Sequence, residues 1–408
     1  MASKLGNTAA IVAIGRAITR RGDAQILTSL QLGAMAAAQA LKKSGIERRR
    51  IGALFTARCP SSYRTLQYNQ TLLNELKIAP SFTSEITSHG AGALGTLEYA
   101  VMALNSGLVD YALCVTNEAS GAWFGRAQVG KNAVGESNLQ FEAPYGPSTP
   151  SLYAQVACRY MHEYGIRPEM MAKVAVENRR WALDHPHAAM RDKGPISIDD
   201  VLESRMIASP LRLLDCAVNY PGGIGTAMLL TRAEIARKDH DNPTWIAGFG
   251  QCVTHEWLSE RMGVTGVDPV GDEPNLTRTG ASVAATQAYE MAGLKPKDMD
   301  IVQTSAPFSF ANLMMIEDLG FCKRGEGGEF VLDGGIDYDG GLPFNTNGGY
   351  LSFGQAAQGL YNLQETIDQM WGRAEGRQVK NVKTGVVHGH GGILAGHSVM
   401  IVSKESTR

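Results

Sequence analysis

The segment "VVHGHGGILAGHS" (Val386–Ser398) sets His388 and His390 two residues apart between glycines, at the end of an apolar run. Imidazole is the side chain best able to take and give a proton near neutral pH, so this pair is a candidate acid–base centre. The same pair could ligate a metal, but no third ligand follows at a recognisable spacing, and no metal site is expected. His397 falls within the closing strand and reads as structural. Tyr350 directly follows the turn "NTNGG" (Asn345–Gly349). A phenol beside a glycine-rich turn can donate a hydrogen bond to an enolate oxygen. Asn345 and Asn347 shape that turn, and Asn347 is the better placed to meet a ligand.

A second segment, "TSHGAGALGTLEYA" (Thr87–Ala100), reads as a strand end, a tight turn and a helix start. Such elbows often carry a nucleophile, and the free N–H groups of the helix can hold an anion. The residue at this elbow is Gly90. Ser88 and His89 precede it, but neighbours near a strand end point to opposite sides and do not form a Ser–His pair. Ser88 fits a turn or cap and His89 a pocket wall; with Gly90 they are candidate substrate contacts. Asp215 and Cys216 in "LLDC" read as structural.

These segments sit in a chain that repeats itself. "AAAQALKKSGIERRRIGALFT" (Ala36–Thr56) lies on "AATQAYEMAGLKPKDMDIVQT" (Ala284–Thr304) without a gap, matching Ala36, Ala37, Gln39, Ala40, Gly45 and Thr56 with Ala284, Ala285, Gln287, Ala288, Gly293 and Thr304. Each copy predicts an Ala-rich helix, a Gly C-cap, a charged turn and an apolar strand. A glycine-rich turn, a helix and another strand follow in both. Alternating strands and helices argue for sheets covered by helices, in two similar halves, 1–270 and 271–408. The first half carries an insertion over about 119–211, rich in helical pattern, that reads as a cap. Its aromatic residues Trp123, Phe124 and Trp181 suit a bulky apolar ligand or simple packing.

The composition narrows the function further. A net charge of −2 gives no electrostatic reason for a nucleic-acid or anionic-membrane partner. No apolar run reaches the roughly 20 residues of a membrane span, and the polar start "MASKLGNTAAIVAIGRA" predicts a first strand rather than a signal peptide. Six scattered cysteines without a CxxC pattern fit a reduced, cytoplasmic chain without structural zinc.

Over nearly its whole length the sequence resembles the thiolase superfamily, through "GAGALGTLEYAVMALNSGLVDYALCVTNE", "PLRLLDC", "NTNGGYLSFGQ" and "VVHGHGGILAGHSVMIV". Within it, "HPHAAMRDKGPISIDDVLESRMIASPLRLLDC" and "IEDLGFCKRGEGGEFV" resemble the sterol-carrier-protein or lipid-transfer branch. The resemblance implies an α/β, five-layer duplicated fold with mixed, mainly parallel sheets. It also implies a coenzyme A thioester as substrate, with no separately bound cofactor. The family's nucleophilic cysteine falls on Gly90, and the histidine that opens its "HDCF"-like turn falls on Ser305 in "SAPF". The "GHP" histidine corresponds to Gln355, and the late "CxG" cysteine to the His388–His390 loop. Ser305 and Gln355 can donate hydrogen bonds to a substrate oxygen, and the Gln355 amide shuttles no proton.

Without a thiolate, ordinary acyl transfer has no covalent intermediate. What remains is chemistry through an enolate, as in the steroid side-chain aldolases that this branch also contains. The expectation is a retro-aldol lyase acting on a β-hydroxyacyl-CoA, with His388, His390 and Tyr350 as acid–base groups. A homodimer and a small zinc-ribbon and OB-fold partner are implied by the same resemblance. The rival expectations are an acyltransferase with an unusual nucleophile and a silent acyl-CoA-binding subunit.

Overall fold

Strand residues face alternate sides, and in this chain both sides are apolar, which demands helices above and below the sheet. The computed structural model describes residues 5–20, 23, 27–57, 66–119, 137–261, 275–355 and 360–407. Cys59, Trp123, Phe124, the 270/271 boundary and the side chain of His89 lie outside what is described. In chain order the strands are β1 (Ala9–Thr19), β2 (Ile51–Ala57), β3 (Phe82–Ile86), β4 (Tyr111–Glu118), β5 (Met206–Ala208), β6 (Leu211–Arg212), β7 (Gly223–Arg232), β8 (Thr244–Val253), β9 (Ile301–Thr304), β10 (Thr384–Gly391) and β11 (Gly396–Ser403). β5 and β6 form a small ribbon, and the other nine make one sheet in the order β3-β2-β4-β7-β1-β8-β11-β10-β9.

The order runs outward in the same way on both sides of the β1–β8 seam, which pairs only at Ala10–Trp245 and Ile11–Thr244. Parallel pairing joins β2 to β3 and β4, and β9 to β10. The strands nearer the seam pair antiparallel. The repeat seen in sequence has its physical counterpart beside these strands. Helix α1 (Ser29–Ser44) ends on Gly45 at φ 66°, and the helix Ala281–Ala292 ends on Gly293 at φ 68°. Both positions require the left-handed backbone that glycine adopts without strain. At its other end α1 is closed by a capping box between Thr28 and Gln31.

Three apolar clusters separate five layers. On one outer face α1 and α2 (Tyr68–Leu76) cover Leu54, Leu113, Val115 and Leu229. In the middle, α3 (Gly92–Asn105) and the helix Leu360–Met370 lie between the two limbs of the sheet. They touch Phe55, Cys114, Met228 and Leu230 on one limb and Ile301, Val387, Met400 and Val402 on the other. On the far face, the helices Ala281–Ala292 and Ser309–Asp318 cover Val302, Val386, Val399 and Ile401. Each fully buried Leu, Met or Phe in these layers contributes about 1.5–3 kcal/mol. α3 is consequently buried around most of its girth.

The described part of the cap supplies the helices Thr149–Tyr164 and Pro168–Asp184, which pack on the far-face cluster. Ser148 caps the first, and Pro168 opens the second at a position where its missing N–H is harmless. Among the described residues no helix is long and apolar enough to cross a membrane.

Candidate active site

The β10–β11 hairpin brings the histidines together by register. His390 stands directly opposite His397, and His388 opposite Val399, so all three imidazoles share one face of the hairpin tip. All three are buried. His388 Nε2 lies 2.9 Å from His397 Nδ1, and His397 Nε2 lies 3.1 Å from the Leu394 carbonyl. That carbonyl can only accept, so His397 carries its proton on Nε2 and His388 donates from Nε2. His390 Nε2 faces the Gly392 carbonyl at 3.2 Å and also meets the hydroxyl of Tyr153 on the cap helix. The Tyr153 hydroxyl donates to the same carbonyl at 2.8 Å. The Nδ1 atoms of His388 and His390 are buried without a hydrogen-bond partner among the described residues.

Burial dominates the electrostatics of this cluster. It holds His388 and His397 well below the usual imidazole range, with neighbouring imidazoles adding to the effect. It pushes His390 down to about 4 against the opposing pull of the Gly392 carbonyl. The rings are therefore neutral at pH 7 and each retains a basic nitrogen. His255, which faces the Ile393 carbonyl at 3.0 Å, is likewise pushed down to about 4 by burial.

One bond along the sheet lies the second group. Thr304 pairs with His388, and the next N–H, of Ser305, donates to the His388 carbonyl at 3.1 Å. The Ser305 side chain hydrogen-bonds the phenol of Tyr350, which is 7% exposed. Burial raises that phenol to about 12, so it remains a proton donor at neutral pH. Asparagines hold the frame. Asn345, at φ 50°, accepts from the Thr304 N–H at 2.8 Å, and Asn362 donates to the Thr304 carbonyl at 3.1 Å and to Ser305 Oγ at 3.4 Å.

The elbow completes the site. Ser88 is half-buried, and its carbonyl accepts from the Gly92 N–H at 3.2 Å, so the helical turn begins there. A Cβ built on Gly90 would stand 1.9 Å from the His390 carbonyl oxygen. The position from which a side chain would emerge is filled by the backbone of the hairpin tip. No side chain fits there without moving the histidine strand.

Other predicted contacts fall differently. The Asn347 side chain is spent within its own turn, accepting from Gly349 N–H at 2.8 Å and donating to Asn362 at 3.2 Å. Gln355 is exposed, and in a short bridge opposite Asn219 its N–H donates to the Val218 carbonyl and its carbonyl accepts from the Tyr220 N–H. Asp215 accepts from the Ser309 hydroxyl, a buried structural contact. Sequence reasoning left His397 out of the cluster and did not single out Tyr153. The signal for His397 was the symmetry of two histidines about "GGILAG"; Tyr153 had only its inward helical phase.

This architecture, with a strand–turn–helix elbow facing a late glycine-rich hairpin, defines a thiolase-type fold. Residues 267–404 match the family model described as thiolase C-terminal domain-like. The steroid side-chain-cleaving aldolase of Thermomonospora curvata is 31% identical over 376 residues, covering 90% of this chain and 90% of that protein. An acetyl-CoA acetyltransferase of Methanothermobacter thermautotrophicus is 35% identical over 271 residues, covering 66% of this chain and 67% of that protein. Among solved structures, the Ltp2-ChsH2(DUF35) aldolase superposes with a TM-score of 0.82 at 27% identity, covering 98% of this chain and 99% of that one. The chain belongs to the thiolase superfamily, in its sterol-carrier-protein-like branch.

Proposed function

We propose that this chain is a coenzyme A thioester lyase that cleaves a β-hydroxyacyl-CoA by a retro-aldol reaction, without an acyl-enzyme. One observation carries the reading: the seat of a covalent nucleophile is occupied by the His390 carbonyl, 1.9 Å from where a Gly90 side chain would begin. The histidines at the hairpin tip and Tyr350, reached from them through Ser305, have complementary protonation states. The neutral imidazoles of His388 and His390 can accept the β-hydroxyl proton, and the protonated Tyr350 can donate to the thioester oxygen. As the proton leaves, the Cα–Cβ bond breaks and its electron pair moves onto the thioester carbonyl. The Cβ fragment departs as an aldehyde or ketone. The enolate is held by the phenol until Cα takes back the proton. The aldolase relative supports the same reaction class.

The second component in the name of the matching aldolase supports a partner subunit here; its small zinc-ribbon and OB-fold kind is what the sequence resemblance implies. A homodimer is supported by the outer edge of the sheet. There β3 pairs only with β2 among the described strands, and Phe82, Tyr99 and Met102 are exposed beside its outer side.

The test is to incubate purified chain, with and without partner, with a panel of β-hydroxyacyl-CoA esters and detect the released carbonyl compound. Cleavage of β-ketoacyl-CoA by free coenzyme A, with no carbonyl release across the panel, overturns the reading. It would favour the acyltransferase alternative suggested by the acetyltransferase relative. A labelled acyl group trapped on Ser88 would then identify the nucleophile.

A further inference from the structure

The three imidazoles at the hairpin tip form a set that proton transfer alone does not require. One ring nitrogen from each of His388, His390 and His397 lies within 4.8 Å of the others. Tetrahedral zinc or cobalt, with metal–nitrogen bonds of about 2.0–2.1 Å, sets its ligands roughly 3.3 Å apart. The His388–His397 contact, now 2.9 Å, need only open by about 0.4 Å, and His390 need close by no more than about 1.5 Å.

For two of the three rings the outer contacts agree. Ligating imidazoles commonly give their second N–H to a backbone carbonyl, which fixes the ring and presents the opposite nitrogen inward. His397 meets the Leu394 carbonyl at 3.1 Å and His390 the Gly392 carbonyl at 3.2 Å. That leaves Nδ1 of His390 as a buried atom with no partner among the described residues. A buried polar atom left unpaired in this way calls for an occupant. The Tyr153 hydroxyl meets His390 on the Nε2 side, beside the Gly392 carbonyl, and so helps fix the ring from outside.

We propose that His388, His390 and His397 bind one divalent transition cation of the zinc type. An all-imidazole set favours zinc, cobalt, nickel or copper over magnesium and calcium. The cation replaces the proton shared between His388 and His397. Its competition with catalysis rests on the lyase reading above; its binding does not.

The experiment uses the untagged full chain, stripped with a chelator and dialysed against cobalt(II) chloride. One cobalt per chain is expected, with the visible absorption of four-coordinate imidazole-bound cobalt, bleached by zinc and untouched by magnesium. The His390→Asn and His397→Asn variants are expected to lose it, with circular dichroism checking that they fold. As a readout independent of the variants, the cobalt-loaded wild-type chain should show three paramagnetically shifted imidazole N–H signals. Cobalt binding no tighter than that of folded His390→Asn, or fewer than three shifted signals, overturns the proposal. Lyase activity is assayed separately: cleavage without cobalt binding sinks only the metal site, and cobalt binding without cleavage sinks only the lyase.

Discussion

Replacing Gly90 with alanine is the smallest perturbation that asks whether the nucleophile seat is truly filled. The added Cβ arrives 1.9 Å from the His390 carbonyl oxygen, against an ordinary contact of at least 3.4 Å. One of the two must retreat by about 1.5 Å. The elbow is tied to the first turn of α3, whose next residues lie in the central layer, so the hairpin tip is the part that yields. Overpacking of this kind costs about 1–3 kcal/mol, and loss of the His390–Tyr153 hydrogen bond adds about 1 kcal/mol. Gly90→Ala should therefore lose roughly 2–4 kcal/mol, read as a lower urea midpoint at unchanged slope. Turnover should fall on the order of 10²-fold, because a displacement of an ångström at a catalytic group has that effect. Gly90→Cys restores the family's sulfur in chemical terms but meets the same carbonyl, so no acyl-enzyme should accumulate with acyl-CoA. Wild-type midpoint and turnover for Gly90→Ala, or a trapped thioester on Gly90→Cys, would refute the reasoning.

Three further outcomes are expected. His388→Asn and His390→Asn should each lower kcat by about 10²–10⁴ with little change in KM, measured by steady-state release of the carbonyl product. Tyr350→Phe should lower kcat by about 10²–10³ while leaving the unfolding free energy from urea titration within about 1 kcal/mol of wild type, since its backbone bond to Val218 is untouched. Glu98, buried in the central layer against the Ser398 hydroxyl, is raised from 4.5 to about 7 by burial. Between those values the unfolded chain releases a proton that the folded chain keeps, so stability falls as pH rises and then levels off above about 7. The loss is roughly 3 kcal/mol. Glu98→Gln should abolish that slope in denaturation midpoints taken from about pH 5 to about pH 8.

What could be read in the sequence was what is encoded locally. The Ala-rich helices, their Gly45 and Gly293 caps and the strands that follow are set by neighbours within a few residues, and the structure places all of them. The pairing of β1 with β7 and β8 depends on residues more than two hundred positions away, and nothing local announces it. The same division holds at the site. His388 and His390 stood out because a period of two puts them on one face. His397 joins them only through hairpin register, and Tyr153 only through docking of the cap. Asn347 looked free because its partner Asn362 lies fifteen residues on, in the next helix. Gly90 was legible as an absence; that a carbonyl fills the space was not.

The middle layer binds the duplicate parts to each other's fate. Leu97 and Val101 of α3, and Leu363 and Ile367 of the later helix, belong to one apolar cluster that both limbs of the sheet enclose. Each repeat thus completes its neighbour's interior, and severing them would bare an oily surface on either fragment. Neither part is therefore expected to unfold alone, and the whole should melt in one cooperative step.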